Sequence, residues 1–395
     1  MILEATLNNI IKEQKEIIVH HKQIKRQVLK ELPSGRVLIV SGVRRCGKST
    51  LLRQMYSVDE TLYLNFEDPR LERFELSDFQ KIESIFKKLD KKYFLFDEIQ
   101  NVDGWEKAIR NLHEKGEKVF ISGSNASMLS RELGTRLTGR YKQVELFPFN
   151  YNEFIDLLGL EKGVDSFTRY LRSGGFPEYL IENDTEYLRT LLRDIVTRDI
   201  AVRRDIKNEN LLIRLAVYFF SNIGKEFSFN NITKNLEIKS VRTTIDYCDY
   251  LREAYLLETI PRFSYSIRQQ QSNPKKVYCI DTALALANSL SFNEDNGRTL
   301  ENAVFLHLRR KYTEIFFFKT EKEECDFLVK EGNKIIMVIQ VCYNLTHDNL
   351  SREINGLKCA MMETGCDIGL IITNEQEDKI SEVTITPAWK WITKD

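Results

Sequence analysis

The sequence predicts an α/β protein: a doubly wound parallel sheet, then a helical lid, a helix-and-ribbon region and a second α/β unit. Three observations predict it. Four short apolar runs between residues 36 and 122 alternate with helical segments, the rhythm that builds parallel sheets with helices on both faces. A glycine-marked octapeptide, Gly42-Val-Arg-Arg-Cys-Gly-Lys-Ser49, follows the first run and opens a helix. From residue 151 to about residue 206 the pattern turns helical, and from residue 299 it returns to alternating apolar runs.

At 395 residues the chain exceeds what one core usually organises. With 42% hydrophobic and 29% charged residues, and no stretch of about 18 apolar residues, it is expected to be globular, without a membrane segment. The start, Met1-Ile-Leu-Glu4, lacks the basic, apolar and small-residue series of a secretory signal, so a cytoplasmic location is expected. Seven cysteines without paired C-x-x-C spacing argue against a disulfide framework and a zinc cluster. Lysine plus arginine and aspartate plus glutamate balance at 58 each, so any nucleic-acid binding must be local.

Residues 1–34 carry apolar positions at helical spacing (Leu3, Leu7, Ile10, Ile11, Ile17, Ile18) and a basic run from His20 to Lys30, and are expected to form N-terminal helices. Pro33-Ser-Gly35 breaks them. The parallel-sheet domain, residues 35–150, contains strands at Arg36–Val40, Thr61–Asn65, Tyr93–Phe96 and Lys118–Ser122, with helices through Leu51–Met55, from about Ser77 and from Trp105. Residues 151–207 read as the lid, turned at Ser173-Gly-Gly-Phe-Pro177. Residues 208–298 read as three helices and two strands around the polar stretch Gln269–Lys276, the order of a winged helix. Residues 299–395 carry a helix, strands at Ile315–Phe318, Cys325–Val329 and Ile335–Ile339, another helix, and a strand at Ile368–Ile372.

The octapeptide is a P-loop signature that chance supplies in on the order of one chain in a hundred of this length. After a buried strand and before a helix, its backbone N–H groups and the helix N-terminus face phosphate oxygens. Gly42, Val43, Arg44, Arg45, Cys46, Gly47, Lys48, Ser49 and Thr50 are therefore expected to bind nucleotide, Lys48 at the β- and γ-phosphates and the Ser49 hydroxyl on Mg2+. Asp97-Glu98 ends the third strand, placing Asp97 to hold the metal through water and Glu98 to polarise attacking water. Ser124 and Asn125 end the next strand, where Asn125 could touch the γ-phosphate or the lytic water; both are also common turn formers. Arg140, in Arg136-Leu-Thr-Gly-Arg140, is a candidate arginine finger toward a neighbouring subunit, or else a solvated charge. Glu67-Asp68 reads as a surface carboxylate pair.

These motifs, with Leu62-Tyr-Leu-Asn-Phe-Glu-Asp68, Ser122-Gly-Ser-Asn-Ala126, Gly174-Gly-Phe-Pro-Glu178 and Arg198-Asp-Ile200, resemble bacterial and archaeal AAA-type ATPases in which an AAA_14 P-loop domain is joined to a domain called DUF4143. The resemblance spans nearly the whole chain. It implies an AAA-like sheet and ATP as the nucleotide, brings no agreed substrate, and leaves open whether Arg140 or Arg198 senses nucleotide in cis or in trans.

In the winged-helix region the third helix, Ser240–Leu251, buries Val241, Ile245, Cys248 and Leu251 and turns Lys239, Arg242, Thr243 and Asp246 outward on this reading. Few of these suit base reading. Arg262, Arg268, Lys275 and Lys276, with Gln269–Gln271, would supply wing contacts to DNA, and the alternative is a protein-binding module. The last unit resembles a restriction-endonuclease-like fold with Glu301 and Asp326 in suitable places. Its next strand ends Gln340-Val-Cys342, neutral where a second carboxylate and a lysine would stand, so a catalytically silent nuclease-like domain is expected; an unrelated α/β unit is the alternative. The chain is thus expected to be a Mg2+-dependent ATPase that moves C-terminal interaction domains, with an ATP-gated DNA-binding or defence-type regulator, or a slow nucleotide-switched scaffold, as alternatives. A homo-oligomer and a DNA or protein partner are the expected associations.

Overall fold

The computed structural model describes residues 1–16, 24–26, 35–55, 57, 59–125, 139–290 and 295–394. Ile17, Ile18, most of the basic run, Pro33-Ser34, Ala126 and Arg136–Thr138 lie outside these residues. The chain forms two compact units, one of Met1–Phe147 with Glu253–Tyr255, the other of Pro148–Arg252 with Leu256–Asp395. Among the described residues no helix is long and apolar enough to cross a membrane, and all seven cysteines are free thiols.

In the first unit helix α1 (Glu4–Glu16) precedes strand β1 (Val37–Ser41), helix α2 (Lys48–Met55), β2 (Thr61–Asn65), α3 (Phe79–Lys88), β3 (Tyr93–Asp97), α4 (Trp105–Glu114), β4 (Lys118–Gly123) and β5 (Tyr141–Glu145). The strands form one sheet in the order β2-β3-β4-β1-β5, every pairing parallel, as in P-loop α/β domains. β1 and the middle of β3 are fully buried, which explains their unbroken apolar sequences. β5 is different. Its residues, Tyr-Lys-Gln-Val-Glu, are half-buried or exposed at the sheet edge, so no continuous apolar run announced it.

Helix α1 buries Leu7, Ile10 and Ile11, spaced i, i+3 and i+4, in the core that holds Leu62, Phe66, Phe74, Phe79 and Phe96. Each such side chain contributes about 1.5–3 kcal/mol by leaving water. Gln14 on α1 closes the end of edge strand β2, accepting from Asn65 N at 2.8 Å and donating to Asn65 O at 3.3 Å.

The second unit opens with helices α5 (Tyr151–Leu158), α6 (Val164–Ser173), α7 (Pro177–Glu182) and α8 (Thr185–Asp194), the last running into a π-helical turn at Ile195–Ala201. Next come α9 (Glu209–Phe220), β6 (Glu226–Phe227), α10 (Phe229–Asn235), α11 (Val241–Glu253), β7 (Leu257–Pro261), α12 (Ile267–Ser272), β8 (Lys275–Cys279) and α13 (Thr282–Asn288). The three strands pair antiparallel in the order β6-β8-β7. The polar stretch is not an open loop: Ser266 caps a helical turn there, accepting from Gln269 N at 3.5 Å. On α11 the fully buried face is Thr244, Cys248 and Leu251, whereas Val241 and Ile245 are only half-buried.

Helix α14 (Asn296–Arg309) then leads into β9 (Glu314–Lys319), β10 (Glu324–Glu331), β11 (Lys334–Val341), α15 (His347–Thr364), β12 (Gly369–Thr373), β13 (Asp378–Ile380), β14 (Val383–Pro387) and α16 (Ala388–Ile392). Their sheet runs β13-β14-β12-β11-β10-β9, with an antiparallel β9-β10-β11 meander and parallel β11-β12 and β12-β14 pairs.

The Gly174-Gly175 pair works as a close-approach seam. Gly175 N donates to Asp281 Oδ2 at 2.6 Å, Phe149 N donates to Gly175 O at 2.7 Å, and a Cβ on Gly175 would lie 2.2 Å from Phe149 O. Burial pushes the Asp281 carboxyl up to about 6, against the backbone N–H groups of Gly175 and Leu284 that favour its charge. Gly175→Ala must move backbone rather than a flexible side chain, and is expected to cost about 2 kcal/mol or more. A thermal melt should show a loss of several degrees, with Gly163→Ala, which meets only open space, near wild type.

Candidate nucleotide site

The site is built where β1 ends and α2 begins. Ser41 O accepts from Leu146 N at 2.7 Å, and from there the chain turns through Gly42 to Gly47. Gly42 is required: its φ is 154°, and a Cβ would sit 2.1 Å from Leu146 O. Arg45 takes a left-handed φ of 66°, a strained conformation for a side-chain-bearing residue, at a point where the backbone must curl. Cys46 is buried beneath the loop with its Sγ 3.3 Å from Leu146 O; burial raises its thiol above the ordinary value, so it packs as a neutral group. Ser49 and Thr50 occupy the first turn of α2, beside the helix N-terminus.

Lys48 is 4% exposed. Its Nζ donates to Gly42 O and Val43 O, both at 3.1 Å, and lies 3.3 Å from Glu98 Oε1. An ammonium facing loop carbonyls and one carboxylate is poised for a better anion. Arg44 bonds Glu67 (Nη2 to Oε1, 2.6 Å), so Glu67, which stands on the surface as its sequence suggested, also ties the loop after β2 to the phosphate loop. Asp68 accepts from Arg70 and from Gln14, which holds it below the usual carboxylate range, at about 2.

Asp97 and Glu98 arrive from β3, separated from β1 by β4, hence roughly 10 Å away across two strand spacings. Across it the side chains of Lys48 and Glu98 meet, 3.3 Å apart. Asp97 is fully buried, accepting from Tyr63 Oη at 2.6 Å and from Ser122 Oγ. Burial, then the charge of Asp97, raises the Tyr63 phenol far above its usual value, so it remains a donor. Glu98 has a left-handed φ of 49°, its N donates to Ser122 Oγ at 3.1 Å, and its Oε2 accepts from Gln100. Ser124, 1% exposed, accepts from Gln100 Nε2 at 3.3 Å, and Asn125, 5% exposed, follows it. Two left-handed residues without glycine's freedom, Arg45 and Glu98, thus face one crevice at the carboxyl ends of parallel strands.

Sequence reasoning did not single out Tyr63, Gln100, Ser122 or Arg26. Arg26 is buried, donating from Nη1 to Cys46 O at 2.9 Å and from Nη2 to Phe147 O at 2.7 Å. Tyr63 and Ser122 lay within strands and read as core; Arg26 sat in a basic run.

Arg140 is not part of this pocket. β5 runs parallel to β1 with Tyr141 opposite Val37, and Arg140 O accepts from Val37 N at 3.0 Å, so the residue stands at the opening edge of the sheet, a strand length from Gly42. Its Nη1 donates to Glu114 Oε1 at 2.9 Å and its side chain is 48% exposed. Arg198 lies in the π-helical turn of the second unit, 3.7 Å from Asp194.

The donors fit a magnesium-bound nucleotide. Among the described residues no three His, Cys, Asp or Glu side chains converge as a metal cage. Magnesium on nucleotide needs none, since it takes phosphate oxygens, waters and one or two protein groups, and Ser49 and Asp97 are the groups that would hold it.

Comparison with known proteins gives the domain and the family. The model of an AAA domain family, AAA_14, matches residues 34–155. An uncharacterized protein of Methanocaldococcus jannaschii is 33% identical over 97% of this chain and 94% of its own length. The chain belongs to that protein's family. An uncharacterized Haemophilus influenzae protein is 30% identical, over 82% of this chain and 88% of its own. Solved structures with similarity include Cdc6p of Pyrobaculum aerophilum, 13% identical with a TM-score of 0.29 over 72% of this chain and 92% of that one, too low to bear on the fold. The match after the AAA domain is not DUF4143. A different domain of unknown function, DUF8612, covers residues 164–295, spanning the segments read separately as lid and winged helix.

The wing cations also need correction in this AAA-domain protein. Lys276 is 2% exposed and enclosed by carboxylates, so it is not offered to DNA, and the half-buried Arg262 donates from Nη2 to Lys319 O. Lys275 is half-buried, donating to Gln270 O at 3.4 Å and Gln271 O at 3.3 Å, which leaves Arg268 as the exposed member of the four.

Tyr63→Phe removes the donor to Asp97 and is expected to raise the Mg2+ concentration for half-maximal ATP hydrolysis about 10-fold or more. An unchanged magnesium titration would remove Tyr63 from the site.

Proposed function

We propose that the AAA domain binds ATP with magnesium and hydrolyses it, and that the cycle drives conformational change in C-terminal segments acting as an interaction module. The observation that carries this reading is the placement of Lys48, buried between two loop carbonyls and Glu98, in the same crevice as Asp97. Magnesium, when bound, would neutralise charge on the β- and γ-phosphates. Lys48 would exchange its loop carbonyls and Glu98 for phosphate oxygens. That exchange releases Glu98, which Gln100 continues to hold, to accept a proton from an attacking water. Asn125 and Ser124, at the end of β4, lie between the two halves of the machinery and would position that water.

Coupling to the rest of the chain is supported by what the phosphate loop rests on. Gly42, Cys46 and, through Arg26, the Cys46 carbonyl all bear on Leu146 and Phe147, the last residues of the first unit before Pro148. A loop that reshapes around phosphate pushes on this segment directly.

Arg140, at the edge of the sheet away from its own phosphate loop, would serve only a neighbouring subunit's nucleotide, which makes hydrolysis dependent on a homo-oligomer. DNA as the partner is the weaker option, because Lys276 and Arg262 are used internally.

Lys48→Ala is expected to lower ATP hydrolysis by at least about 100-fold with loss of nucleotide binding; hydrolysis at the wild-type rate would refute the assignment. For Arg140, specific activity of the wild type should rise with protein concentration. Arg140→Ala should remain low at every concentration, and an Arg140→Ala curve matching wild type would exclude the finger.

A further inference from the structure

The second unit contains a buried charge cluster that the nucleotide chemistry does not use. Lys276, on β8, projects its Nζ to 2.8 Å from Glu324 Oε1, 2.9 Å from Asp326 Oδ1 and 3.4 Å from Glu301 Oε1. The three carboxylates come from two elements distant from β8 in sequence, α14 and β10. An ammonium has three N–H groups, and here three carboxylate oxygens meet them, so its donor capacity is filled. The side chain of Lys276 is 3% exposed and those of Glu301 and Asp326 are 13% and 10%, while Glu324, at 40%, forms the solvent side of the cluster.

The oxygens are themselves held from behind. Tyr278 Oη donates to Glu301 Oε1 at 2.7 Å, with its ring stacked on Phe305 at 4.3 Å. Val341 N donates to Asp326 Oδ2 at 3.0 Å, and Asp326 N donates at 3.2 Å to Gln340 Oε1, whose amide in turn donates to Glu353 Oε2 at 2.6 Å. Gly224 packs close over Glu301; a Cβ there would be 2.8 Å from Oε2. Fixed carboxylates converging on one point, with outer partners orienting them, is the arrangement proteins use for divalent cations. At that point stands an amine. Burial alone would drive the Lys276 ammonium toward neutrality, but the charges of Glu301 and Asp326 outweigh it and hold it well above the ordinary lysine value.

We propose that the Lys276 ammonium occupies a cation site in place of a metal ion, acting as an internal counter-ion that locks β8 to α14 and β10 and keeps the cluster metal-free. The consequence is chemical. With the Lys276 ammonium held among the carboxylates, these acidic residues serve cohesion between β8, α14 and β10. Removing the amine should leave Glu301 and Asp326 with no counter-charge and Glu324 with Lys319 alone, 3.4 Å away, and so create a site for a divalent ion of the size carboxylates take.

The test uses full-length wild type, Asp326→Asn, Lys276→Met and Lys276→Met/Asp326→Asn, all nucleotide-free and stripped with EDTA. Melting is followed with and without millimolar MnCl2, and Mn2+ binding is counted by electron paramagnetic resonance. Lys276→Met should melt well below wild type in EDTA and recover by about 5 °C with Mn2+, binding one ion more per chain than wild type does. The double variant should show neither recovery nor the extra ion. Absence of both effects in Lys276→Met, equal rescue of the double variant, or an Mn2+ ion in wild type that Asp326→Asn abolishes would each overturn the proposal. If Lys276→Met is recovered only as aggregate, refolding replaces melting: soluble protein only in the presence of Mn2+ supports the counter-ion role, and aggregate under both conditions overturns it.

Discussion

The first unit depends on how closely the turn after β1 is pressed against the backbone of Leu146. Gly42 has no room for a Cβ, Cys46 lies under the loop with its sulfur on the Leu146 carbonyl, and Arg26 clamps the Cys46 and Phe147 carbonyls. This packing fixes the loop whose carbonyls hold Lys48, and thereby sets where the buried ammonium meets Glu98. The cost is visible as left-handed conformations at Arg45 and Glu98, positions without glycine's freedom. Such strain persists only where surrounding structure over-determines it. Here that structure is the fully buried β1, flanked by β4 and β5 in a parallel sheet.

Much of the first unit was legible because burial on both faces leaves a direct trace in sequence. Val37–Ser41 and Tyr93–Asp97 are nearly all apolar because each has a strand on either side and is buried above and below, and Thr61–Asn65, though at the sheet edge, is buried along Thr61–Leu64 beside α1. The edge strand Tyr141–Glu145 carries no such trace, and missing it had a consequence for Arg140. Distance along the chain gave only a loop past the sheet. The parallel register of β5 with β1 carries that residue to the edge at which β1 begins. Local motifs foretell local geometry, as Lys48, Asp97 and Glu98 show; strand register is non-local and must be seen.

The C-terminal half illustrates the same limit from the side of charge. Lys276 read as an exposed wing cation because it lies in a polar stretch, and Gln269–Ser272 read as loop. In the fold, Ser266 caps those glutamines into a helix, and β8 turns Lys276 inward to Glu301, Glu324 and Asp326, between 25 and 50 positions away. Gln340, noted for what it lacks as a metal ligand, proves to be a hydrogen-bond bridge from Asp326 to Glu353. Sequence could tell that carboxylates were present near one another in the order of elements; it could not tell that a lysine from an earlier strand would fill the space between them.

The central claim is that Lys48 is shared between Glu98 at rest and phosphate in the loaded state. Because the two anions compete for one buried ammonium, neutralising Glu98 should favour the nucleotide. The direct measurement is the dissociation constant of magnesium ATP for wild type and Glu98→Gln by calorimetry. The account requires Glu98→Gln to bind about 3- to 10-fold more tightly, a gain of about 0.7–1.4 kcal/mol, while hydrolysis is lost. Binding that is unchanged or weaker in Glu98→Gln would contradict it.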